Sequence, residues 1–232
     1  MKTLSEIKSL IQQKGYWSVN IRPQKYNDTL IPLSSKLFTE FLQPCRIRLR
    51  GWDYPVGIFN DEAHGNTTDG IQVSNFGYLP EIWKFTRSGN FYQLFGLRED
   101  HLYWYTEKSK TPIFSVLEIL FSLSEIFLFA KKMFSHEEMF AQDAHIEIEL
   151  KGLLNRKLIN DNPGRAQFEY DKICKVEEKY TYIKDISRDE LILNYDKYAL
   201  EVFENMVRLF EWNDPPMDIV AQDQQKFLKG RI

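Results

Sequence analysis

The segment Ile113 to Phe129 constrains the fold most. It is dominated by Ile, Leu, Val and Phe, and it approaches the length of a membrane span. Glu118 and Glu125 inside it, and Lys131-Lys132 just beyond, argue against insertion, because each charge is costly in a bilayer. At about 100° per residue, Ser115, Glu118, Ser122 and Glu125 fall within one wedge of a helix whose other sides are apolar. A core helix with one polar stripe, wet or functional, is expected there, with Thr111-Pro112 as its N-cap and first residue and an end near Phe134.

A helix buried on most of its circumference needs apolar partners, and the chain supplies them. Its 232 residues are 43% hydrophobic with a formal net charge of -3, enough for a sizeable core and too apolar for a disordered tail. Thr3-Leu4-Ser5-Glu6 reads as a capping box opening a first helix that ends near Gly15. Trp17 to Arg22 alternates as a strand ended by Pro23, and a second helix is expected from Ser34 or Ser35 to about Leu42. Arg46-Ile47-Arg48-Leu49-Arg50 alternates strictly and gives the cleanest strand signal in the chain. Glu81 to Arg87 and Asn90 to Leu97 flank Ser88-Gly89 as a β-hairpin. His145 to Lys151 reads as a strand, with Gly152 and Asn155 leading to Lys157-Leu158-Ile159 in a second hairpin.

Lys179 to Lys184 reads as another strand. Ser187-Arg188-Asp189-Glu190 then caps an amphipathic helix that runs to Trp212 and is stopped by Asn213 to Pro216. The fold class expected is α+β, with antiparallel β-hairpins packed on two long helices. The arrangement is either one continuous domain or two intimately packed lobes: 1–110, aromatic-rich and carrying the arginine strand, and 111–232, helix-strand-helix.

Four sets of residues could carry chemistry. Arg46, Arg48 and Arg50, spaced about 7 Å apart on one strand face, match the step between phosphates of a single strand, with Trp52 and Tyr54 placed to stack bases. The plainer alternative is a solvated face paired with cross-strand carboxylates, and the acidic chain offers no wider basic field. Asp143, Glu149 and Lys151 resemble the ExK half of a Mg²⁺-dependent nuclease, although the polar side of an exposed strand gives the same letters. Asp61, Glu62, His64 and Asp69, with His136 and His145 to add in space, could offer metal ligands but do not follow the EF-hand order. Glu118 and Glu125 could act as acid and base, but no Glu-x-x-His partner accompanies them.

No GxGxxG, P-loop, GxSxG or HExxH occurs, so no catalytic residue, cofactor or metal is assigned. The N-terminus lacks a signal-peptide pattern, and Cys45 and Cys174 have no CxxC partner, so the expected address is cytoplasmic with no membrane association.

Arg48-Leu49-Arg50-Gly51-Trp52-Asp53-Tyr54-Pro55, then Trp83 to Phe91 with its Ser-Gly turn, the helix Phe121 to Ala130 and the Phe210 to Asn213 ending resemble a family of uncharacterised bacterial proteins. These occur alone or beside Schlafen-like, AlbA-type DNA-binding regions of ATP-binding proteins. The resemblance implies a bacterial setting linked to nucleic acid or phage defence, and brings no catalytic residues.

The reading that follows is a non-catalytic binding or interaction module, with nucleic acid or a partner protein as its ligand. Its binding residues would be Arg46, Arg48, Arg50, Trp52, Tyr54 and Trp83. A Mg²⁺-dependent nuclease and a structural subunit are the alternatives. Aromatics make up 15% of the chain, and Trp17, Trp52, Tyr54, Trp83, Tyr103, Trp104 and Tyr105 direct attention to the half from Tyr16 to Tyr105.

Overall fold

A computed structural model of the chain describes residues 3–32, 37–57, 64–77, 79–102, 105, 111–162 and 164–231. Helix α1 (Leu4–Gln12) begins at the expected capping box: Thr3 Oγ1 accepts from Glu6 N at 3.3 Å while the Glu6 carboxylate accepts from Thr3 N at 2.6 Å. Strand β1 (Tyr16–Pro23) follows, then a wide π-type turn (Leu37–Leu42) and the short α2 (Gln43–Cys45). Next come β2 (His64–Thr67), β3 (Gly70–Phe76), β4 (Pro80–Thr86), β5 (Phe91–Gly96) and the single turn α3 (Arg98–His101). The second half holds β6 (Ile113–Ser115), α4 (Val116–Phe134), β7 (Ala144–Lys151), β8 (Lys157–Ile159), β9 (Lys172–Ile173), β10 (Lys179–Ile186), α5 (Arg188–Arg208) and α6 (Met217–Leu228).

The fold is α+β. Seven antiparallel strands form one sheet in the order β10-β7-β1-β5-β4-β3-β2, and β6, β8 and β9 form a small second sheet. The large sheet takes strands from both sides of Thr111, since β1 pairs with β5 on one side and, over eight residues, with β7 on the other. Alternation decides its faces. Trp17, Val19 and Ile21 of β1, and Ile146, Ile148 and Leu150 of β7, point toward α4 and α5. Ile82 and Leu94 instead meet Ile7 and Ile11 of α1 on the opposite face. Ile126, Phe127 and Phe129 of α4 are wholly buried, and at about 1.5–3 kcal/mol per large apolar side chain such burial outweighs the helix's own propensity.

Several expectations are corrected. The arginine stretch is not a strand: only Ile47 pairs, with Tyr54, and the backbone between turns through Gly51 at φ +84°. Ile47 is drawn into the core and Arg50 into the interior as well, so alternation cannot place all three arginines on one side. The cap of α4 is Ser115, whose Oγ accepts from Glu118 N at 3.0 Å; Thr111-Pro112 precedes β6 instead. The hairpin expected between β7 and β8 is absent among the described residues, because β8 pairs in parallel with β6. The start expected for the second helix, at Ser34 or Ser35, lies outside the described residues. Helix α6, beyond Pro216, has no counterpart in the sequence reading. Among the described residues no helix is long and apolar enough to cross a membrane.

Candidate functional site: an arginine pair beneath the Trp52 cleft

The polar stripe of α4 faces the loop that follows Ile47. Reciprocal backbone bonds between Ile47 and Tyr54, at 3.1 and 2.9 Å, close that loop and hold Arg50 over the stripe. The Arg50 guanidinium forms an ion pair with Glu118, lies 3.0 Å from Glu125 and donates to Ser122 Oγ at 3.2 Å. Its central carbon sits 5.5 and 5.6 Å from the ring centroids of Phe121 and Phe227, so the far face is covered by aromatic rings. Burial by itself lowers the Arg50 pKa, but Glu125 and Glu118 together outweigh it and hold the guanidinium charged. Burial raises the Glu125 pKa, opposed by Arg50 and Arg98.

A second guanidinium approaches from the end of β5. Arg98 opens α3, its Nε lies 3.3 Å from Glu118, and it stacks over the Trp52 ring at 4.2 Å. Its two Nη groups form no hydrogen bond with the described residues and are not sealed from the surface. Arg98 borders a cavity of about 360 Å³, lined also by Trp52, Val56, Asn75, Gly77, Leu79 and Leu102. Among the described lining residues, the side chains are apolar except for Asn75, Arg98 and the indole N–H of Trp52.

Behind the arginines lies a set of buried carboxyls. Tyr54 Oη donates to Gln93 Oε1 at 2.7 Å, and Gln93 Nε2 donates to Glu81 Oε1 at 2.8 Å. Glu81 also accepts from Val56 N at 3.1 Å, and Trp83 Nε1 donates to Val56 O at 2.8 Å, which ties the wall of the cleft to the sheet. Burial lifts the Glu81 pKa to about 7. Glu99, accepting from Ser115 N at 2.7 Å, is lifted to about 8 by burial and by the Glu118 charge. Ser115 Oγ and Tyr105 Oη in turn donate to Asp161 at 2.6 and 2.9 Å. Glu81, Glu99, Glu118 and Glu125 outnumber Arg50 and Arg98, and burial favours the protonated form at Glu81 and Glu99.

The expected binding residues are therefore dispersed. Arg46 faces Asp53 at 3.6 Å, Arg48 is exposed, Arg50 is buried among carboxylates, and Tyr54 and Trp83 belong to the core; Trp52 alone lines the cleft. Asp143 caps the N-terminal end of α5 through Arg188 N at 3.0 Å, whereas Glu149 lies toward the other end of β7, paired with Lys151 and Lys179. Six strand residues, roughly 20 Å, separate the two carboxylates, so they cannot share an ion. Asp69 pairs with Lys84 at 2.8 Å, while Asp61, Glu62 and the His64 side chain lie outside what is described, as do Tyr103 and Trp104. His136 stacks on Phe41 and His145 bonds to Asp185. No group of three or more His, Cys, Asp and Glu among the described residues could hold a metal.

Sequence reasoning passed over Arg98, Glu81, Gln93 and Phe227. Glu81 and Gln93 did carry a signal: they share the parity of Trp83, Phe85, Phe91 and Phe95, the inward face of both strands. No family model matches the chain, and no curated protein or solved structure matches it.

Proposed function

We propose that this chain is a non-catalytic binding module, and that its ligand is a small apolar or aromatic molecule bearing one carboxylate, seated between Trp52 and Arg98. The observation that carries the reading is the Arg98 guanidinium, which lines an apolar cleft and whose Nη groups have no hydrogen-bond partner among the described residues. A planar fork of donors suits a carboxylate, and Trp52, Val56, Leu79 and Leu102 suit an apolar body. The size lies at the lower end of small-molecule sites, roughly 300–1,000 Å³. Arg98 is already shared with Glu118, so a single negative charge is better matched than a phosphate dianion. The bacterial, defence-linked setting belongs to this proposal on the strength of the Arg48 to Pro55 resemblance alone.

The test is titration calorimetry with phenylacetate and octanoate, alongside their amine counterparts, phenyl phosphate and a single-stranded oligonucleotide. Carboxylate binding that is lost in Trp52→Ala and Arg98→Met is expected. Binding of the amines, or of the oligonucleotide in place of the carboxylates, would overturn the reading.

A further inference from the structure

The two edges of the large sheet are unequal. At one end β2 is a four-residue strand, whereas β10 at the other end is eight residues long and pairs with β7 without interruption from Lys179 to Ile186. No backbone hydrogen bond from its outer side reaches any described residue. Edge strands are ordinarily shortened, bulged, broken by proline or loaded with charge, because an open ladder recruits another strand, and the charges of β10 lie at Lys179, Lys184 and Asp185, on either side of its middle. Tyr180-Thr181-Tyr182-Ile183 has none of these devices, and Ile183 is 59% exposed.

We propose that β10 is a dimerisation edge on which a second copy of this chain lays its own β10, antiparallel, about a two-fold axis at Tyr182. The inference is independent of the Trp52 cleft. Residues directly opposite in an antiparallel pair share a face, so self-pairing joins residues of like parity and the registers are few. Centring on Tyr182 sets Lys179 opposite Asp185 twice, Thr181 opposite Ile183 twice, and Tyr180 opposite Lys184 on the inner side. Centring on Ile183 has the same overlap but no opposite-charge pair, and centring on Lys184 brings two lysines together. The charges thus select one register. Both members are available at the surface: the Lys179 and Asp185 side chains are 55% and 63% exposed, and their present partners, Glu149 and His145, lie on the same solvent-facing side of β7. The register also covers Ile183 with the partner's Thr181. An isologous contact of this kind closes on itself, so it ends at two copies.

Sedimentation velocity of the full chain over a wide loading range tests the inference, with Lys179→Glu, Asp185→Lys and the double exchange. The wild-type chain is expected to sediment as a dimer. Each single reversal, which places like charges opposite at two points, weakens the dimer about tenfold. The double exchange, which restores the pairs in reverse, recovers it. A wild-type chain that is monomeric throughout, or a dimer that both single reversals leave unchanged, overturns the proposal.

Discussion

Arg50 lies 3.0 Å from Glu125, with both side chains almost wholly removed from water. The loop after Ile47 and the polar stripe of α4 are thereby two halves of one arrangement. Removing one member leaves the other as a buried, unmatched charge, which costs far more than the net worth of the pair. Arg50→Met is expected to lower the unfolding free energy by roughly 3–5 kcal/mol, whereas Arg50→Met with Glu125→Met recovers most of the loss, because Glu118 keeps Arg98. Urea unfolding of the three chains decides it. A loss under about 1 kcal/mol in the single variant would contradict the assignment.

Stability should depend on pH through two opposed contributions whose windows overlap below neutrality, with the two glutamates outweighing the histidine. Glu81 and Glu99, at about 7 and about 8, retain protons that the unfolded chain releases near pH 4.3. Stability therefore falls as pH rises from about 4.5 to about 8, by up to ~1.4 kcal/mol per pH unit for each group. His101, lowered to about 4 by burial and then by Lys14, acts the other way: its contribution is lost as pH falls from about 6.5 toward 4. The Glu81→Gln, Glu99→Gln double variant should be more stable than wild type at about pH 8 and show a flatter profile above about pH 5. An unchanged alkaline slope in thermal scans would count against the protonated carboxyls.

The Arg98 fork should matter more than its charge. Arg98→Lys keeps the cation but loses two-point recognition and the flat contact with Trp52, so carboxylate affinity is expected to drop about tenfold or more. Arg98→Met should lose binding while leaving Glu118 paired with Arg50. Calorimetry showing equal affinity for wild type and the lysine variant would rule out bidentate contact.

Gly70 is required by close approach. A Cβ there would lie 2.0 Å from Phe85 O and 2.8 Å from Thr86 Cα, both backbone atoms of β4 that cannot swing aside. Gly70→Ala is expected to destabilise by roughly 1–3 kcal/mol through displacement of the β3–β4 ladder. Hydrogen exchange should then accelerate at Ile71 and Phe85 before it does at β7. Protection equal to wild type at both residues would refute the packing argument.

Much of the architecture was legible where local pattern and burial agree. The capping box at Thr3, the N-cap at Ser187, the Ser88-Gly89 hairpin, β1, β7 and β10 all appear near their expected places, because a period of two or 3.6 survives when one face meets the core. Arg46 to Arg50 had the strictest alternation and yet does not pair as a strand. Its pattern served another purpose: Ile47 enters the core and Arg50 reaches the α4 carboxylates, while Arg48 stays in solvent. The aromatic excess divided similarly, with Trp17 and Trp83 becoming core and Trp52 remaining at the surface.

By itself the sequence determined the α+β class, the apolar helix with its stripe of Ser115, Glu118, Ser122 and Glu125, and the presence of arginines and aromatics in the first half of the chain. Only the tertiary structure decided that the stripe and an arginine belong to each other, that Arg98 and Trp52 share a cleft, and that β10 forms a long open edge. Periodicity reports which side of an element is polar. What that side meets depends on chain-distant neighbours, and a buried charge acquires meaning only from the partner opposite it.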